Sequence, residues 1–393
     1  MKLINLFKLS ALCAALASVF ACNDAEYSSL ENAVYLSEAS PMGASNQQIE
    51  NLTVKGDMVT PIHVRIAKAV DYDIHVNLDY APEFVQEYND AHASSYEILP
   101  QEYLSFDKTA VIKAGTVSSE DINIDIKSFS TDNGETYCIP IKIVSTDAPF
   151  SVSEKSNRLI YLLEAPHMQY VPTFTWRQHP ISTNTEWGVT TKAWTIETWV
   201  KMSGFAINNS AIISVGIPST EKGTEIYIRF GDAAIPFNQL QIKTGGSQLE
   251  TNTLFDPYKW YHLAFTFAND MLTIYVNGEK DADKAIAVEE YVLDKLELCS
   301  SGSAYFRNDG SLAQLRMWSR ALSQTEIQNA MNRQVPVDSD GLFCYLKLDE
   351  GEGMYFNDAT GLGHDVECAG ENMAPNPPAW STEKVDFSNP NNE

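Results

Sequence analysis

The sequence predicts an all-β chain of two sandwich-like domains, and three observations carry that prediction. Apolar residues recur at every second position through most of its length, the pattern of half-buried strands. Gly, Asn and Asp clusters interrupt these runs, and helical patterns are short. With 393 residues, 44% of them hydrophobic, the chain holds about two packed domains of roughly 100–200 residues each.

In the first half, Ile62, Val64 and Ile66 alternate with polar neighbours, as do Ile74, Val76 and Leu78. Ile122, Ile124 and Ile126, then Ile139, Ile141 and Ile143, repeat the pattern. Turn signals fall at Gly56-Asp57, Ala114-Gly115 and Asp132-Asn133-Gly134. Residues 83–93 read as a short helix or a loop. A small immunoglobulin-like antiparallel β-sandwich over residues 34–165 accommodates all of this. Pro166 and Pro172 bracket a stretch of little periodicity, read as a linker over 166–172.

Tyr88-Asn89, Tyr96 with Leu99-Pro100, Ile112-Lys113-Ala114-Gly115 and Tyr137-Cys138-Ile139-Pro140-Ile141 follow one another in this half. Together they resemble an N-terminal β-sandwich family of unassigned function found in outer-membrane lipoproteins of glycan-utilisation systems. Some members precede glycosidase domains that act on N-glycans. The resemblance implies a cell-surface setting and supplies no catalytic residue.

Residues 173–388 are again rich in strands: Trp194–Met202, Glu225–Phe230, Trp260–Phe267, Met271–Val276 and Leu312–Trp318. Asn277-Gly278 after Leu272, Ile274 and Val276 is a strong short-range hairpin signal, because both turn positions favour positive φ. Ser323-Gln324-Thr325-Glu326 is a capping box, with Ser323 placed to accept the amide of Glu326 while Glu326 reaches back. Ile327, Ala330 and Met331 then share one face, which predicts one short helix against the sheets.

Several segments of this half carry a second resemblance. They are Trp194-Thr195-Ile196-Glu197-Thr198-Trp199-Val200, Trp260-Tyr261-His262-Leu263-Ala264, Leu315-Arg316-Met317-Trp318-Ser319-Arg320, Gly341-Leu342-Phe343-Cys344-Tyr345-Leu346 and Asp358-Ala359-Thr360-Gly361. In this order they resemble the concanavalin A-like jelly roll of the laminin G type, which implies two curved antiparallel sheets with a helix near the end.

The N-terminus reads as an address. Lys2 and Lys8 flank the start, Leu9 to Phe20 is apolar, and Ala21 precedes Cys22, as in a signal peptide over residues 1–21. The apolar run is shorter than the roughly 20 residues that span a bilayer. Val19-Phe20-Ala21-Cys22 resembles the bacterial lipoprotein box, although Phe20 is bulkier than usual there, and so implies a lipid on the Cys22 thiol. An ordinary secretory peptide with a chance cysteine is the alternative. Asn23-Asp24-Ala25-Glu26 is similar to acidic tags that send lipoproteins outward in glycan-foraging Gram-negative bacteria. Residues 22–33 are then a tether, and the expected location is the outer membrane, facing the exterior.

A net charge of −25 repels phosphate backbones, so nucleic acid is excluded as a partner. Cys138, Cys299, Cys344 and Cys368 match no zinc spacing. One pair among the last three could oxidise after export, or all four are small buried residues.

Catalytic signals are missing. There is no E-x-D-x-x-E strand, D-x-x-D-x-D-x-E strand or G-x-S-x-G elbow, and no histidine pair at metal spacing. Glu289-Glu290 and Asp349-Glu350-Gly351-Glu352 read as solvated turns. His262 reads as a packed strand residue, and His75 as facing solvent or a sheet neighbour. No catalytic residue is expected.

The laminin G resemblance makes calcium the candidate cofactor, with Asp358 as ligand. However, Ala313 stands where that family often has an Asp. The competing reading is that Asp358 caps a turn. Sugar binding calls for flat aromatic faces and a few fixed polar groups. Trp199, Trp260 and Trp318 lie in strand motifs and are assigned to the core. Trp176 and Trp187, in polar, turn-rich sequence, and Tyr305, Phe306 and Arg307, after Ser300 to Ser303, are the platform candidates. Trp380 is assigned to packing the terminus.

The expectation is a non-catalytic, surface-anchored glycan-binding lipoprotein. Its partners would be a glycan and an outer-membrane transporter or other surface lipoproteins. The alternatives are an adhesin or assembly component binding a protein, and a jelly-roll glycosidase or lyase with a site not visible in the motifs.

Overall fold

Most period-two runs of the first half pair into two facing sheets, while Val64–Ile66 pairs with Val34–Leu36 in a separate two-stranded ladder. A computed structural model describes residues 32–391 except 40–47, 55, 93, 130, 132–133, 166, 217–224 and 370–375. The export segment, Cys22 and the acidic stretch after it lie outside the described residues. The first domain contains β1 (Ile49–Thr53), β2 (Met58–Ile62), β3 (Ile74–Tyr80), α1 (Pro82–His92), β4 (Glu97–Ile98), β5 (Leu104–Phe106), β6 (Thr109–Ile112), β7 (Ile122–Ile126), β8 (Tyr137–Thr146) and β9 (Arg158–Glu164). One sheet runs β1-β9-β8-β3-β6 with β4 beside β8, and the other runs β2-β7-β5.

Ile62, Ile74, Ile124, Ile141 and Leu159 from both sheets meet in one core. The pairing is not wholly antiparallel, since β1 joins β9 and β4 joins β8 in parallel. The ambiguous stretch at 83–93 is the helix α1. Pro82 opens it, where a missing amide costs nothing, and Phe84 and Val85 turn inward onto Cys138 and Ile160.

The second domain contains β10 (Pro172–Phe174), β11 (His179–Ser182), β12 (Trp194–Met202), β13 (Ser210–Val215), β14 (Ile226–Asp232), β15 (Ile235–Thr244) and β16 (Ser247–Leu254). It continues with β17 (Tyr261–Ala268), β18 (Met271–Val276), β19 (Glu279–Ala285), β20 (Leu296–Leu298), α2 (Gly302–Tyr305), β21 (Gly310–Trp318), α3 (Gln324–Ala330), β22 (Leu342–Leu346), β23 (Tyr355–Phe356), β24 (Val366–Ala369) and β25 (Ala379–Trp380). The first sheet runs β19-β18-β17-β12-β21-β10-β25, with β22 also on β21. The second runs β16-β15-β14-β13-β20-β11-β24-β23.

Between them lies one core that includes Trp194, Ile196, Ile228, Ile242, Phe265, Leu296 and Met317. Asn277 and Gly278 have φ of 52° and 78°, as the hairpin signal between β18 and β19 requires. The Ser323–Glu326 capping box is present at the start of α3.

The outer faces of the two sheets have different fates. On the first sheet, Ala264, Trp318 and Tyr345 are covered by Ile327, Leu322 and Val335 from α3 and its flanks. Trp199, Trp260 and Ala313 are covered by Phe387 near the C-terminus. The expected linker over 166–172 is corrected here: Met168 and Gln169 pair with Asp386 and Val385. Gln169 is buried, and its amide donates to the carbonyls of Lys347 and Leu348 at 3.0 and 3.1 Å. Polar residues without periodicity read as a linker, but these are satisfied by distant backbone.

The two domains touch through the covering layer. Gly134 holds φ +81°, and a Cβ there would lie 2.4 Å from the carbonyl carbon of Val335 and 2.5 Å from the nitrogen of Pro336. Gly115 has a similar φ, +80°, with nothing within 4 Å. An L-residue in the left-handed region costs roughly 1–2 kcal/mol, so Gly115→Ala reads strain alone. Gly134→Ala is expected to lower the thermal unfolding midpoint further than Gly115→Ala and to speed limited proteolysis between the domains. Equal effects would show that this contact contributes nothing to docking.

Candidate functional site

Ile226, Ile228 and Phe230 of β14 point into the core, so the intervening Tyr227 and Arg229 face outward. The same alternation around Ile242 on β15 turns Gln241 and Lys243 outward. Strand pairing then aligns a continuous row across the second sheet: Tyr355, Glu367, Ile181, Glu297, Ser214, Tyr227, Lys243 and Gln248. Directly paired residues project to the same side, so this row is a polar band with tyrosines in it. Arg229, paired with Gln241 and through it with Glu250, starts a second row.

Hydrogen bonds fix this surface. Arg229 donates to Asn209 Oδ1 at 2.7 Å and to Gln241 Oε1 at 2.8 Å, and also to Asp232. Gln241 donates onward to Glu250 at 2.8 Å, and the Tyr227 hydroxyl donates to Asn209 at 3.1 Å. Side chains held in this way lose little further entropy on binding a ligand. A cleft of about 750 Å³ opens over them, lined by Glu225, Tyr227, Arg229, Lys243, Gln248 and Lys284 among others. Lys284 reaches across from β19 to the Gln248 carbonyl at 2.9 Å. The volume falls within the roughly 300–1,000 Å³ typical of small-molecule sites.

Two carboxyls on this face are pushed in opposite directions. A hydrogen bond from His179 at 3.0 Å, helped by Lys295, holds Glu297 down to about 2 against the opposing effect of burial. Burial, and then the charge of Glu297, raise Glu225.

The predicted platform residues have different fates. Trp176 is 38% exposed with the Arg177 guanidinium 5.1 Å from its ring centroid, three residues before His179. Tyr305 is 41% exposed at the end of α2. Its carbonyl accepts from Ser210 Oγ at 3.1 Å, beside the Asn209 that holds Tyr227 and Arg229. Arg307 is exposed, with its Nε on the Ala304 carbonyl at 3.3 Å. The loop at 305–307 therefore adjoins the Arg229 end of the polar face.

Phe306 and Trp187 are corrected. Phe306 is fully buried in the jelly-roll core, because the helical turn of α2, expected as loop, directs its ring inward. Trp187 is 9% exposed. Its indole donates to the Asn184 carbonyl at 2.8 Å and its ring lies 4.4 Å from His364. Trp380 meets Phe356 at 6.0 Å.

Asp358 is buried within its own turn. It accepts from the amides of Tyr345 at 3.0 Å and Thr360 at 3.1 Å, from the Thr360 hydroxyl at 2.8 Å and from the His364 amide at 3.2 Å. Those donors occupy the lone pairs a hard cation would need. Among the described residues, no group of three or more His, Cys, Asp or Glu could hold a metal ion. The four cysteines at 138, 299, 344 and 368 are buried free thiols.

His262 is buried, and its pKa is lowered to about 3 by burial and then by Arg316, so it is neutral. His75 is exposed and pairs with Asp147 at 2.9 Å. The outward row at Glu225, Tyr227 and Arg229 was missed as a site. The alternation Glu225-Ile226-Tyr227-Ile228-Arg229-Phe230 could have found it, since it puts three polar groups on one face.

Comparison with known proteins adds the following. Residues 178–328 match the family model described as the concanavalin A-like lectin/glucanases superfamily, and residues 30–149 match one described as an N-terminal domain. None of the curated proteins compared matches the chain. A Bacteroides ovatus protein provisionally named as carbohydrate binding superposes with a TM-score of 0.63 at 21% identity, over 89% of this chain and 97% of that one. A pentraxin from Limulus polyphemus gives a TM-score of 0.34 at 12% identity, over 44% of this chain and 90% of its own. Trypanosoma rangeli sialidase gives 0.28 at 17% identity, over 35% and 22% respectively.

The depressed Glu297 makes a prediction about acid stability. A carboxyl whose folded pKa is lowered stabilises the fold above its unfolded pKa and loses that contribution as pH falls through the folded value. The stability gap between wild type and His179→Ala, measured by urea titration, should be full above about pH 5 and shrink as pH approaches about 2. A gap independent of pH would show that His179 acts without Glu297. The family match, strand order and superposition agree that the second domain is a concanavalin A-like jelly roll.

Proposed function

We propose that this chain is a non-catalytic glycan-binding protein of the cell surface, lipid-anchored through Cys22 at the outer membrane and facing outward. The outer face of the second sheet is its recognition surface. The observation that carries the reading is the row of Tyr227, Lys243 and Gln248 under an open cleft, continued by Glu297, with Tyr227 and the adjoining Arg229 held in place by hydrogen bonds. Tyrosine rings suit sugar C–H faces, and the Gln248 amide and Lys243 ammonium suit hydroxyls. The superposition on the carbohydrate-binding-named structure supports the same reading, as does the jelly-roll fold. The first domain serves as a spacer or accessory module, and a transporter or another surface lipoprotein is the expected partner in uptake.

A second reading rests on Glu225 and Glu297. Two carboxyls driven apart in pKa on one face are the pattern of an acid–base pair, which favours a hydrolase.

A glycan array with residues 23–393, followed by product analysis on each hit, tests both readings. Binding without turnover is expected. Tyr227→Ala and Lys243→Ala should each weaken it by about tenfold, about 1.4 kcal/mol, with an unchanged melting midpoint for Lys243→Ala and a lowered one for Tyr227→Ala, which also loses the bond to Asn209. An array without hits, together with a protein recovered by pull-down, would sink the glycan reading. Turnover abolished by Glu225→Gln would establish the second.

A further inference from the structure

A second cleft, of about 510 Å³, lies where the two domains meet, between α1 and α3. On the first-domain side, Tyr88 stacks on His92 with centroids 4.1 Å apart at 18°, and meets Tyr96 edge-on at 5.7 Å. Asn89 locks this wall: its carbonyl oxygen accepts from Ser94 Oγ and the Tyr96 amide, and its amide donates to the Tyr96 carbonyl, all at 2.9 Å. The second domain contributes Asn329, Thr325 and Arg333. The phenols of Tyr96 and Tyr88 and a second guanidinium, Arg316, act on the Arg333 guanidinium. Arg316 is paired with Glu197 at 3.2 Å, and Glu135 and Glu164 line the adjoining cleft that shares Tyr96 and Arg333. Asp90, also on the rim, is held by the Gln86 amide at 2.8 Å.

A guanidinium presents a planar fork of donors that matches a carboxylate in two-point contact. Here it stands beside a fixed aromatic wall that one side of the cleft supplies. We propose that the junction cleft binds a carboxylate-bearing sugar, with the carboxylate on Arg333 and the ring against Tyr88. The chain's net charge of −25 does not forbid this, because exposed charges are screened beyond about 8 Å at physiological salt. The site draws on both domains, so neither would form it alone. Its sugar half rests on the glycan reading above; its carboxylate half does not.

Titration calorimetry of the intact chain with methyl β-D-glucuronide and methyl β-D-glucoside tests the proposal. The glucuronide should bind at least tenfold more tightly, and Arg333→Gln should remove that preference, while Tyr72→Ala, an exposed tyrosine elsewhere, should not. If Arg333→Gln fails to fold, Tyr88→Ala replaces it, with loss of glucuronide binding expected. Equal affinities, no glucuronide binding, or binding that survives either cleft variant would overturn the proposal. Array hits that persist in Arg333→Gln beside a failed glucuronide titration would sink this site and leave the sheet face standing. A glucuronide titration that succeeds while an array of neutral glycans stays empty would do the reverse.

Discussion

The guanidinium of Arg316 is the point on which the arrangement of the molecule depends. It is fully buried on the outer face of the first sheet, where it pairs with Glu197 at 3.2 Å. It also donates to the Ala330 and Arg333 carbonyls at 3.2 and 2.6 Å, at the end of α3. Glu197 in turn accepts from the Trp318 indole at 3.2 Å. Removing one member of such a buried pair leaves the other charge desolvated, which costs about 3–5 kcal/mol. The pair therefore fixes where the covering layer sits more than it adds net stability. That layer is what the first domain rests on, through Gly134 against Val335 and Tyr96 against Arg333.

Covering one sheet leaves the other face open. The first sheet buries Trp199, Trp260 and Trp318 beneath α3 and the C-terminal segment, so its aromatic residues go to packing. On the second sheet Arg229 and Gln241 are buried among their polar partners while Tyr227, Lys243 and Gln248 stay in reach of solvent, which yields a polar face instead of a second apolar interface. The covered face also sets the junction cleft, because Arg333 is positioned by its carbonyl's bond to Arg316. A single buried cation thus bears on the docking of the domains and on one of the two clefts.

Much of the fold was legible because its signals are local. The capping box at Ser323, the Asn277-Gly278 hairpin and the alternating strands each depend on a few adjacent residues. What escaped depends on partners far away in sequence. Gln169 looked like linker because its acceptors are the carbonyls of Lys347 and Leu348. Trp187 sits in polar sequence yet packs on His364 and Phe343. Phe306 and Tyr305 are adjacent, and one helical turn sends the first into the core and leaves the second exposed. The polar row on the second sheet assembles from residues on eight strands, so no short motif announces it.

The most direct test of the sheet-face account is hydrogen–deuterium exchange of the intact chain, with and without a bound neutral oligosaccharide. The account predicts added protection across β14, β15 and β16 and at β20, with the outer layer around α3 unchanged. Protection confined to other strands, or to the loop at 305–307 alone, would contradict it.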